Sequence, residues 1–186
     1  PYRGTRITNC VLRVDPGTVP EGKSYWAMRG YDMLDTVLDR VEITGFGQPT
    51  SGHDEGHAIY FNVLGSLAIV DSFIHHNGGQ GLQLVNRPYE SNAGPGPATG
   101  TITIRQTWFH ENGFNPDRAG SQVSIFGTGQ DIILESVEIL AGHDNTKYEQ
   151  GRSGGGLLIE AEAPRTDKHN AWWRPLKVPD DYEIPF

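Results

Sequence analysis

A six-residue pattern returns five times along this chain, starting at residues 7, 38, 69, 104 and 134. The copies read Ile7-Thr8-Asn9-Cys10-Val11-Leu12, Leu38-Asp39-Arg40-Val41-Glu42-Ile43, Ile69-Val70-Asp71-Ser72-Phe73-Ile74, Ile104-Arg105-Gln106-Thr107-Trp108-Phe109 and Leu134-Glu135-Ser136-Val137-Glu138-Ile139. Positions one and six are always large and apolar. Position four is always small or β-branched: Cys10, Val41, Ser72, Thr107, Val137. The copies are 31, 31, 35 and 30 residues apart. A repeat in this range marks a solenoid, in which each unit buries its apolar face only against its neighbours.

Each copy lies near a second short apolar run: Tyr25-Trp26-Ala27-Met28, Ala58-Ile59-Tyr60-Phe61, Leu82-Gln83-Leu84-Val85, Val123-Ser124-Ile125-Phe126 and Leu157-Leu158-Ile159-Glu160. These runs alternate with period two and none reaches helical length. Inside the motif, positions four and six share a side of a strand, but position one is an odd step from four. The chain must therefore bend at positions two and three, where Asn9, Arg40, Asp71, Gln106 and Ser136 stand. One repeat then supplies two short strands around a polar corner, a loop, and a third strand. The fold class expected is all-β, a right-handed parallel β-helix of about five rungs. Asn77-Gly78-Gly79 and Asn112-Gly113 are expected to close two rungs in turns that favour positive φ. Loop length varies widely between rungs, as over residues 78–81, 47–56 and 142–156, which a stacked coil tolerates.

On these residues the chain resembles the pectate-lyase-like superfamily of right-handed parallel β-helices, in its loose β-helix-repeat form. The resemblance covers roughly residues 5–163 and is clearest in His57-Ala58-Ile59-Tyr60-Phe61 and from Phe73 to Leu84. It implies a fold. It implies no single activity, because that fold carries lyases, hydrolases, epimerases, tailspikes and passive adhesins. Polygalacturonase signatures are only brushed by Thr8-Asn9-Cys10 and Ala141-Gly142-His143-Asp144, and Arg29 lacks the acidic neighbours a pectate lyase needs. No activity is carried over.

The solenoid is assigned to residues 1–163 and an irregular tail or cap to residues 164–186, which hold four of the twelve prolines and the Trp172-Trp173 pair. The tail is read as a cap, since an open end exposes unpaired backbone groups; a sugar platform on its tryptophans is the other reading. A stack ~20 Å tall that starts almost directly in a rung is expected to belong to a longer solenoid or to meet a partner chain. Net charge is −8, which argues against a nucleic-acid partner. No apolar run reaches membrane-spanning length, so no membrane insertion is expected. Cys10 is the single cysteine and sits at the inward position four, as a core residue.

Histidines carry the first candidate site. His75 and His110 follow the motif at equivalent outward positions, with His76 and Glu111 next in sequence. His53, Asp54, Glu55 and His57 occupy the loop before a strand, and His143 and Asp144 the corresponding loop lower down. The expected catalytic set is His57, His75, His110, Asp54 and Glu111, giving general acid and base groups on one flank. The bland alternative is a surface ladder of turn-exit residues. His53 and His57 are four apart, but Gly52 and Gly56 make that segment a loop, so no metal is assigned. No cofactor is expected either.

Position five, on the outside of the same strand, reads Val11, Glu42, Phe73, Trp108, Glu138. Phe73 and Trp108 are expected as neighbours about 5 Å apart, either stacking on sugar rings or covered by a loop. The outer face of the other strands presents Arg29, Tyr60 and Gln83, expected to help bind substrate. The reading reached is a carbohydrate-facing β-helix, extracellular or on a virion surface, that binds and could cleave a polysaccharide. Its rival is a non-catalytic structural β-helix of a tailspike, fibre or cell-surface appendage, with a homotrimer by analogy.

Overall fold

Parallel pairing joins every motif copy to the next. The computed structural model describes residues 2–15, 18, 25–47, 56–85, 99–113, 122–126, 130–140 and 156–160. Among them are fourteen strands and no helix. The first face stacks β1 (Tyr2–Arg3), β3 (Met28–Leu34), β5 (Ile59–Val63), β8 (Leu82–Val85), β11 (Val123–Phe126) and β14 (Leu157–Glu160), in that order. The second stacks the first halves of β2 (Arg6–Arg13) and β4 (Thr36–Thr44) with β6 (Leu67–Val70), β9 (Thr101–Arg105) and β12 (Asp131–Glu135). The third stacks the second halves of β2 and β4 with β7 (Phe73–His75), β10 (Trp108–His110) and β13 (Glu138–Leu140). Three faces of parallel strands, wound one after another, make a β-helix.

The register follows the motif. Ile7, Leu38, Ile69, Ile104 and Leu134 are successive Cα partners. Leu12, Ile43, Ile74, Phe109 and Ile139 form the second such column. The middle of both columns is fully enclosed, including Leu38, Ile43, Ile69, Ile74, Ile104 and Phe109. Burial fails at the ends of the stack. Ile7, Cys10 and Leu12 are half-buried, and Leu134, expected inside, is 37% exposed. Among the described residues an end strand has a neighbouring rung on one side only, so its inward side chains lose half the cover that such neighbours give.

The bend expected at position three is a column of left-handed residues. Asn9, Arg40, Asp71, Gln106 and Ser136 have φ of 53°, 54°, 49°, 46° and 53°. A non-glycine residue there costs roughly 1–2 kcal/mol, so the surroundings must hold it. The corner amides stay paired along the stack: Asp71 N donates to Arg105 O at 3.1 Å, and Gln106 N to Glu135 O at 2.9 Å. Position four finishes the corner from inside. Ser72 Oγ donates to Val70 O at 2.7 Å and accepts from Val41 N at 3.2 Å. Thr107 Oγ1 donates to Arg105 O at 2.7 Å. Small hydroxyl residues recur there because they fit beside the bend and satisfy it.

A second corner follows position six, and here the sequence expectation needs correction. The left-handed residues are Gly45, His76 and Glu111, with φ of 84°, 52° and 50°. Of the two segments expected to supply positive φ, Asn112-Gly113 does so at Gly113, with φ of 73°, while Asn77 and Asn112 are buried one residue after the corner. They build an internal ladder instead. Asn77 Nδ2 donates to Asn112 Oδ1 at 2.8 Å and to Ile43 O at 3.1 Å. Asn112 Nδ2 donates to Ile74 O and to Gln122 Oε1, each at 2.9 Å. Each amide ties its turn to the rung beside it. The tail over residues 164–186, with its tryptophan pair, lies outside the described residues.

Candidate functional site

The outer surface of the third face is a grid of two columns. Alternate residues of a strand point outward, so position five gives Val11, Glu42, Phe73, Trp108 and Glu138. The next outward place gives Arg13, Thr44, His75, His110 and Leu140. Phe73 and Trp108 are Cα partners, as are His75 and His110. Phe73 is 36% exposed and Trp108 41%. Both rings reach solvent, but between described residues they do not stack on each other. Phe73 stacks on His75 at 4.0 Å and 22°, and meets His110 edge-on at 5.4 Å and 88°.

Carboxylates flank these rings on both sides. His75 Nε2 lies 3.2 Å from Glu42 Oε1. His110 Nε2 lies 3.0 Å from Glu138 Oε1, an ion-pair distance without hydrogen-bond alignment. His76 Nε2 contacts Glu111 Oε2. The glutamates are about half exposed, while His75 and His110 are mostly covered. Diagonal neighbours on adjacent strands are within reach of long side chains, which is how Glu42 meets His75 and Glu138 meets His110. A depression of ≈ 270 Å³ adjoins this grid, bounded by Asn9, Arg40, Asp71, Val11, Glu42 and Phe73. On its wall Arg40 donates through Nε to Asn9 Oδ1 at 2.6 Å and pairs with Asp39 at 2.8 Å. That is smaller than the ~300–1,000 Å³ of a drug-sized site, and suits one ring of a longer ligand.

The structure thus gathers Phe73, His75, Trp108, His110 and Glu111 on and beside one face. It places the other expected residues elsewhere. His57 precedes β5 on the first face, is 5% exposed, and accepts a hydrogen bond at Nδ1 from Gln80 N at 3.0 Å. Its ring stacks with Tyr60 at 6.1 Å and 12°. Asp54 lies outside the described residues, as do His53, Glu55, His143 and Asp144. Arg29, Tyr60 and Gln83 form one register column on the first face. Gln83 is only 9% exposed, and Asn62 and Ser124 on the same outer surface are fully buried, so pointing outward here does not mean reaching solvent. Arg29 stays exposed, its guanidinium 4.0 Å above the Trp26 ring and 5.8 Å from Tyr60.

Sequence reasoning set Glu42 and Glu138 beside the aromatics and His76 beside His75, but left all three out of the expected catalytic and binding set. The signal was present: Glu42 and Glu138 stand in the same position-five column as the two aromatics, one rung to either side. Among the described residues no group of three or more His, Cys, Asp or Glu is set to hold a metal. Comparison of the chain with protein-family profiles, with curated proteins and with solved structures returns no match.

Proposed function

We propose that this parallel β-helix binds a polysaccharide across its third face. Phe73 and Trp108 supply the flat apolar surface for sugar rings, and Glu42, Glu111 and Glu138 supply acceptors for sugar hydroxyls. The observation that carries this reading is the pair of solvent-reachable aromatics in register on adjacent strands, bordered by half-exposed carboxylates. Exposed large aromatics that are grouped rather than scattered mark interaction surfaces. The setting is extracellular or a virion surface, where polysaccharides are met.

Binding is favoured over turnover. His75 and His76 each meet a carboxylate and each other, so neither is held free toward a substrate. The catalytic form of the proposal needs His110 and Glu138, whose contact is not hydrogen-bond aligned, to act as acid and base on a bound sugar. A second reading, a structural β-helix of an appendage, is favoured by the end strands. Ile133 and Leu134 on β12, and Leu157 and Ile159 on β14, are exposed as a stacked partner chain would require.

The test is Trp108→Ala against a panel of polysaccharides. Because the ring is 41% exposed, its loss should lower stability by less than about 1 kcal/mol, or ~2–4 °C in a chain of this size. Glycan binding should fall at least about fivefold, since ring stacking contributes ~1 kcal/mol or more. Unchanged glycan binding, or a parent that binds no polysaccharide in the panel, refutes the proposal.

A further inference from the structure

Four side chains beside the Phe73 ring run in an unbroken line across three rungs. Glu42 Oε1 lies 3.2 Å from His75 Nε2. His75 Nδ1 lies 2.7 Å from His76 Nδ1. His76 Nε2 contacts Glu111 Oε2. The two imidazoles have centroids 4.9 Å apart and planes at 86°, so their Nδ1 atoms face each other. Thr44 Oγ1 is a weaker neighbour, 3.5 Å from His75 Nδ1.

Proton counting decides what such a line can be. Ionised carboxylates only accept, and each imidazole brings two ring nitrogens. The line has three junctions, and each needs one proton. Two neutral imidazoles carry two protons, so one junction is left unmade. Two imidazolium ions carry four, which sets two N–H groups against each other at the 2.7 Å junction. One imidazolium and one neutral ring fill every junction.

We infer that Glu42, His75, His76 and Glu111 form one proton-sharing chain that holds a single imidazolium and fixes the ring of Phe73. The residues facing it are consistent with that charge. From β4 come Glu42 and Thr44. From β10 comes His110, in register with His75 and beside Glu138 of β13. Arg13 of β2 is in register with Thr44, but is paired with Asp15 at 2.8 Å. Two carboxylates bracket one shared positive charge. Phe73 lies flat on His75 at 4.0 Å, so the chain sets the plane of that ring. His76 and Glu111 are positioning residues, acting through His75. Only the use of that ring for sugar binding rests on the proposal above.

The chain predicts a signal that mere proximity does not give. In ¹⁵N-labelled full-length protein without glycan, a through-hydrogen-bond scalar coupling should join Nδ1 of His75 to Nδ1 of His76. It should be seen at one or more points in the range from about pH 5 to pH 8. His76→Asn should abolish it and shift the Phe73 ring resonances, and asparagine is tolerated at the left-handed φ of 52° found there. Glu111→Gln should weaken the coupling while the fold persists. No coupling anywhere in that range overturns the inference, as do Phe73 resonances unmoved in His76→Asn. A protein that shows the coupling yet binds no glycan overturns the binding proposal and leaves this one standing.

Discussion

At position three of every motif copy the backbone is left-handed, whichever side chain stands there. Asparagine and aspartate suit that conformation, but Arg40, Gln106 and Ser136 do not. The parity of the motif demanded a bend, and the structure shows that it overrides residue preference. Gln106 is the clean test, being exposed and without a side-chain bond among the described residues. Gln106→Gly should stay within ~0.5 kcal/mol of the parent, since relieved strain offsets the added freedom of the unfolded chain. Gln106→Val should lose about 1–2 kcal/mol, because a β-branched residue is poorly accommodated at positive φ. Urea unfolding of the three proteins distinguishes them; equal midpoints would show that the corner carries no strain. Asn77 plays the opposite part, buried and bonded on both sides. Asn77→Ala leaves Asn112 Oδ1 and the Ile43 carbonyl short of a donor, and should cost about 3 kcal/mol in the same assay. A loss under 1 kcal/mol would show the ladder to be dispensable. The ladder was not legible in the sequence. An Asn-Gly pair reads as a turn with positive φ, which Gly113 has, but nothing local reveals that the preceding His76 or Glu111 is left-handed as well, or that the asparagine between turns inward.

Among the strands, those of the second and third faces were the most legible. Their apolar positions, small fourth residue and bend all followed from one repeated pattern, and the pairing follows it residue for residue. Depth in the stack was less legible, because the pattern is the same at the ends as in the middle. Ile74 on β7 and Leu134 on β12 both hold apolar motif positions, yet one is 1% exposed and the other 37%. Ile74→Ala should therefore cost about 2–5 kcal/mol, and Leu134→Ala less than about 1 kcal/mol. Thermal unfolding would show it; equal losses would mean that Leu134 is covered in solution. The first face was the least legible. Its strands were found, but alternation says only which way a side chain points. Gln83 and Ser124 point out and are buried, and His57 is bonded to Gln80 on the approach to that face rather than standing in the grid with His75 and His110.

As a whole molecule, the chain joins a rigid parallel coil to one face rich in aromatic, imidazole and carboxylate groups. Sequence equivalence brought Phe73 next to Trp108 and His75 next to His110, because residues in one motif place must share a column. It set Glu42 and Glu138 in the same column as well, but could not show their contacts with His75 and His110, since diagonal contacts depend on side-chain reach rather than on register. A net charge of −8 favours neutral or hydroxyl-rich partners over polyanions. The third face, with its exposed ring pair, is the surface that this account assigns to such a partner. The most direct measurement is an NMR titration of the labelled protein with oligosaccharides from a bound polysaccharide. Shifts should concentrate on the Trp108 indole, the Phe73 ring, His75 and His110, and should be absent around Arg29 and Tyr60. Shifts centred on Arg29 and Tyr60 instead, or none at saturating oligosaccharide, would contradict the account.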